Sequence, residues 1–114
     1  MQRELVDAIV LGGQAGLEDV KTLQSAVHPK TWRYLMLTTQ AWYRNPQDGY
    51  GSLCHKAAEM NEWQIYAHMC NNGAFPFTYD ANGRLSSEVA LAAGHVATAV
   101  SIRVGYENLL PNLN

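Results

Sequence analysis

Two stretches of this chain match each other at a distance of 33 residues, and that spacing constrains the fold more than any other feature. The first runs Ser52-Leu53-Cys54-His55-Lys56-Ala57-Ala58, then Asn61-Glu62, then Ile65 through Gly73-Ala74-Phe75-Pro76. The second follows Asp80 and Asn82-Gly83, and sets Ala90 and Gly94-His95 where Ala57 and Asn61-Glu62 stood. Each copy reads as two short helices joined by a turn. A unit of that size cannot bury its apolar face alone, so neighbouring units must stack.

The residues that carry this period resemble the ankyrin repeat family. Ser52-Leu53-Cys54-His55 stands where the family has Thr-Pro-Leu-His, and Gly73-Ala74, Pro76 and Gly94-His95 match family positions. Tyr50, between Gly49 and Gly51, departs from the pattern, because the family has glycine there. The resemblance implies an all-α, short solenoid of stacked helix-turn-helix repeats with projecting hairpin-like loops. It also implies that His55 hydrogen-bonds backbone groups of a neighbouring loop, and that another protein is bound through the loops and inner helices. One domain over 1–114 is expected, holding three to three and a half degenerate repeats. Residues 1–13 would form an N-terminal capping helix, 17–45, 50–78 and 83–104 the repeats, and 105–114 a tail folding back over the open end.

Length and charge agree with a single globular unit. The 114 residues, 47% of them hydrophobic, suffice for one core and argue against disorder. A net charge of −2 without a basic cluster makes a grip on nucleic-acid phosphates an unfavourable reading. The longest apolar run, Ala8 to Leu11, is too short to span a bilayer, and no export signal is evident. Cys54 and Cys70, without CxxC spacing, read as reduced, buried thiols of an intracellular protein, cytoplasmic or nuclear.

Along the chain, Gln2–Leu11 reads as a helix with Leu5, Val6, Ile9 and Val10 on one face, stopped by Gly12-Gly13. Its spacing matches Ile65-Tyr66, Met69-Cys70 and Gly73, which makes it the second helix of a truncated first unit. Residues Leu17–Val27 form the next predicted helix, with Val20, Leu23 and Val27 as its stripe. His28-Pro29 breaks it, 33 residues before Asn61 and so in phase. A helix over Lys30–Tyr43 should bury Trp32, Leu35 and Met36, and turn chemistry at Asn45–Gly49 should project a hairpin-like loop. Helices are then expected near Leu53–Met60, Glu62–Asn72, Ser86–Ala93 and His95–Val104, with Gly73 left-handed and Asn82-Gly83 a tight turn.

The residue types that could do chemistry do not converge by spacing. Cys54 and His55 are sequential on a helix and point about 100° apart, which fails the nucleophile–base test. HxxxH, HExxH and paired CxxC are absent, so no metal or cofactor is expected. His68 reads as solvent-facing and His28 as a turn residue. The expected function is therefore a non-catalytic protein-interaction module, an adaptor or inhibitor. The alternatives are a structural subunit or fragment of a larger assembly and, less favoured, a small Cys/His hydrolase; the oligomeric state stays open. The expected partner-binding row is Tyr50 and Tyr79 at the loop tips, Lys56, Glu59 and Met60 on the first helix between them, and Arg84 beyond the second tip. Trp42, Tyr43 and Trp63 are further aromatic candidates.

Overall fold

The computed structural model describes residues 2–37, 43–45 and 49–109. Among these the chain is helical: α1 (Gln2–Leu11), α2 (Gly13–Ser25), α3 (Pro29–Leu37), α4 (Leu53–Glu59), α5 (Trp63–Asn71), α6 (Ser86–Ala92) and α7 (Val96–Gly105). A short antiparallel hairpin, β1 (Tyr43–Asn45) with β2 (Gly49–Gly51), precedes α4, and a 3-10 turn (Glu107–Leu109) follows α7. The hairpin stands where the Asn45–Gly49 turn chemistry predicted it, with Tyr43 opposite Gly51 and Arg44 opposite Tyr50. Tyr43 therefore belongs to a strand and not to the end of the predicted Lys30–Tyr43 helix; α3 is described only as far as Leu37.

Three helix hairpins stack: α1 against α2, α4 against α5, α6 against α7. The first packs on the second through α1–α4 and α2–α5, and the second on the third through α4–α6 and α5–α7. The molecule is correspondingly elongated, with extents of 42 × 27 × 25 Å. The buried cluster runs through all three pairs, from Leu5, Ile9 and Val20 to Leu53, Ala57, Ile65, Tyr66 and Met69, and on to Ala90, Ala99 and Ile102. Small residues are buried between the packed hairpins; Ala57, Ala58 and Ala90 are each 0% exposed.

The turns at 61–62 and 94–95 are present, with Asn61 (φ 61°) and Gly94 (φ 86°) in the left-handed region. The N-terminal register differs from the sequence reading. Helix α1 is the first partner of its hairpin and not the second of a truncated unit, because its reverse turn lies at Gly12-Gly13 (φ 68° and 63°). Helix α2 begins at Gly13, so Gln14-Ala15-Gly16 is its first turn and not a connector. The physical cause is Gly16: a Cβ there would lie 2.4 Å from the Ala8 carbonyl oxygen, so only a bare backbone lets α2 lie against α1.

Helix α3 is then an additional element, held over the end of the central hairpin. The His28 ring nitrogen Nδ1 accepts from the Lys30 amide (3.0 Å) and caps it, with Pro29 in its first turn. Trp32, 4% exposed, donates its indole N–H to the Asn72 carbonyl at 2.9 Å. Leu35 and Met36 are buried beside it. The carboxylate of Glu62 completes the junction between the first two hairpins by accepting the Gly13 amide, at 3.2 and 3.1 Å to its two oxygens. An anion at a helix N-terminus also meets the positive end of the helix dipole.

Candidate interaction surface

The N-terminus of α4 is organised by a side chain three residues into it. Ser52 caps the helix, its Oγ accepting from the His55 amide at 3.2 Å. The His55 Nδ1 accepts in return from the Ser52 amide at 3.1 Å, so histidine does the work that glutamate does in the usual capping box. With Nδ1 accepting, the ring proton lies on Nε2, which donates to the Arg84 carbonyl at 2.8 Å. Burial lowers the pKa of His55, against the opposing pull of the Arg84 carbonyl, which keeps the ring neutral and the bond pattern intact.

That bond fixes the far end of the loop spanning residues 73–85. Inside the loop Asp80 makes an Asx turn, Oδ1 accepting from the Asn82 amide (2.9 Å) and the Arg84 amide (2.8 Å). Oδ2 accepts from the Arg84 guanidinium at 2.9 Å. Gly83 (φ 74°) and its amide bond to the Asp80 carbonyl (3.0 Å) close the Asn82-Gly83 turn. Burial raises the Asp80 pKa, but the Arg84 and Asn82 groups pull it further down, and the net shift is downward.

The loop so held presents aromatic side chains. Phe75 is 54% and Tyr79 58% exposed, and the half-buried Phe77 packs edge-on against Phe75 with ring centres 5.3 Å apart. Thr78 reaches Ser52 (Oγ1 to Oγ 3.4 Å), and a Cβ on Gly51 would lie 3.6 Å from the Asp80 Cβ. The base of the β1–β2 hairpin and the second loop therefore sit side by side.

The six predicted partner-binding residues divide unequally. Tyr79 is exposed on the loop as expected. Tyr50 lies in β2, and its side chain falls outside the described residues, as does Trp42. Lys56 and Glu59 form an ion pair with each other at 3.2 Å. Met60 is half-buried against the core. Arg84 is committed to Asp80 through its guanidinium and to His55 through its carbonyl, so its first role is to shape the loop. Phe75 and Phe77 were missed in the sequence; the signal for them was the alternation Phe75-Pro76-Phe77-Thr78-Tyr79 in a segment already read as projecting.

The remaining titratable residues hold elements together. His95 Nε2 bonds the Glu59 carbonyl (3.0 Å), joining the start of α7 to the end of α4. His68 is not solvent-facing: its Nε2 bonds the Gln24 Oε1 at 2.7 Å across the α2–α5 contact. Glu107, 3% exposed, accepts from the Ser87 amide (3.1 Å) and hydroxyl and from Arg103 (3.4 Å), capping α6 from the end of α7. The Cys54 and Cys70 sulfurs face each other at 3.9 Å as free thiols. The Cys70 thiol and burial together hold the Cys54 thiol well above its usual pKa. Trp63 is half-buried in a three-ring cluster, its ring 6.0 Å from that of Tyr66 and 5.7 Å from that of Tyr106, which themselves lie 5.5 Å apart. Among the described residues no group of His, Cys, Asp or Glu has the arrangement to hold a metal ion, and no helix is long and apolar enough to cross a membrane. In comparisons with known proteins, this chain matches no family model, no curated protein and no solved structure.

Proposed function

We propose that this chain is a short ankyrin-like stack of helix hairpins that acts as a non-catalytic interaction module, binding another protein through its projecting loops and the inner helix α4. The observation that carries the reading is the loop at 73–85. It exposes Phe75 and Tyr79 while the Asp80 carboxylate, the Arg84 guanidinium and the His55 imidazole hold its backbone in one conformation. An aromatic side chain on a preorganised loop loses little entropy when a partner closes on it, which is the condition for an interface anchor. Lys56 and Glu59 on α4 would then form the polar rim beside those anchors, with Met60 just past the helix as an apolar contact.

The test is affinity capture with the wild-type chain and with Phe75→Ser/Tyr79→Ser. Both positions are exposed, so the double variant should keep its helical circular dichroism and melting temperature. Loss of the captured protein, with a Kd weakened at least tenfold for the purified pair, is the expected result. Undiminished capture would remove the loop from the interface.

A further inference from the structure

The chain has 2 cysteines, and the fold brings them together. Cys54 lies in the first turn of α4 and Cys70 in the last turn of α5, so the hairpin sets the start of one helix beside the end of the other. Their sulfurs stand 3.9 Å apart as free thiols, in van der Waals contact across a sequence separation of 16 residues.

The two thiols differ in access. Cys54 is 1% exposed, whereas Cys70 is half-buried and keeps part of its surface in solvent. A dissolved oxidant therefore meets Cys70 first. The Cys70 thiol, and burial after it, hold the Cys54 pKa well up, so at neutral pH Cys54 waits behind Cys70 as a protonated thiol. A disulfide sets its sulfurs about 2.05 Å apart, which asks a movement of about 1 Å from each, the scale of a χ1 adjustment and not of a helix displacement.

We propose that Cys54 and Cys70 are a reversible oxidation site, at which a hydroperoxide converts the two thiols into a disulfide that staples α4 to α5. The Cys70 sulfur attacks the terminal peroxide oxygen and becomes a sulfenic acid; the O–O bond breaks, and the departing oxygen takes up the Cys70 proton as water or alcohol. The Cys54 sulfur then attacks the Cys70 sulfur; the S–O bond breaks, and the hydroxyl leaves as water with the Cys54 proton. The thiols lose two electrons and the peroxide gains two. A resolving thiol already in contact makes the second step intramolecular, so it outruns further oxidation of Cys70 by a second peroxide. The bond closes a loop within the central hairpin, from which the 73–85 segment leaves, and it restrains the unfolded chain.

Hydrogen peroxide added to the reduced full chain at neutral pH tests this. The expected product is a monomer lighter by two hydrogens, about 2 Da, with both thiols lost together and the Cys54 and Cys70 peptides linked. Dithiothreitol should restore both thiols, and the oxidised form should unfold at higher urea than the reduced one. Cys54→Ala should accumulate sulfinic acid at Cys70, and Cys70→Ala should keep its single thiol through the same exposure. Sulfinic acid at Cys70 in the wild type beside an intact Cys54 thiol overturns the proposal, because the thiols then do not join. So do a cross-linked dimer as the main product, unreacted thiols, an oxidised form that unfolds at lower urea, and a Cys70→Ala variant oxidised as fast as the wild type.

Discussion

The His55 imidazole and the Arg84 carbonyl, 29 residues apart in sequence, meet at 2.8 Å, and through this bond one helix N-terminus sets the exit of the projecting loop. The same ring accepts from the Ser52 amide, so helix capping and loop placement depend on one neutral side chain. The contacts around it, and the close approach of Gly16 to the Ala8 backbone, each lead to a testable expectation.

His55 should make stability pH-dependent. Burial lowers its folded pKa below the ordinary 6.5, so between the two values the unfolded chain binds more protons. The stability from the neutral ring is fully present above about pH 6.5 and is lost as pH falls towards the folded pKa. Half-buried His68 is shifted the same way, by burial and by Lys21, and adds to the slope. Urea unfolding at pH 7 and pH 5 should show the wild type weaker at pH 5, with much of that difference gone in His55→Gln. At pH 7, His55→Ala should cost about 2 kcal/mol, one cap and one cross-loop hydrogen bond. An unchanged pH slope in His55→Gln would assign the titration elsewhere.

Gly16 should not tolerate the smallest side chain. Alanine is the better helix former by about 1 kcal/mol, but its Cβ would meet the Ala8 carbonyl oxygen at 2.4 Å and the Ile65 Cδ1 at 3.3 Å. Backbone cannot yield cheaply, so packing wins and Gly16→Ala should destabilise by about 1–3 kcal/mol. Gly13→Ala meets no atom within 4 Å but occupies φ 63°, and should cost about 1 kcal/mol from strain alone. Thermal melts of the two variants should rank Gly16→Ala lower; the reverse order would show that α1 and α2 do not approach as closely as this.

Asp80 should govern the order of the loop. Asp80→Asn removes the charge and one of the acceptors that serve Asn82 and Arg84, so limited proteolysis within 73–85 should accelerate while the helical signal persists. With solvent screening allowed for, the stability loss at pH 7 should be about 1 kcal/mol. The sign with pH follows from the lowered carboxyl pKa: the contribution is present above about pH 3.8 and disappears as pH falls through the folded value. A cleavage rate equal to wild type would mean that the loop is ordered by other contacts.

Much of the local structure was legible in the sequence. The bounds of α1, the turns at 61–62 and 94–95, the break at His28-Pro29, left-handed Gly73 (φ 111°) and the Asn82-Gly83 turn each depend on residues within a few positions of one another. Backbone propensity and apolar spacing act at that range, so they can be read from the chain directly. In the candidate surface, Tyr79 and the projecting loop were legible for the same reason.

Tertiary structure decided the partners. An apolar stripe on α1 states that a face is buried, but it does not state against what; the match to the Ile65–Gly73 spacing pointed to the wrong place in the hairpin. Gly16 settled the pairing, because close approach to Ala8 is a property of two backbones in space and not of either segment. Arg84 shows the same limit. In the sequence it is an exposed charge beyond a turn, whereas in the fold the Asp80 carboxylate and the His55 ring converge on it from four and 29 residues away. Long-range hydrogen bonds of this kind are set by how the hairpins stack, and stacking is the sum of many weak contacts that no short stretch of sequence contains.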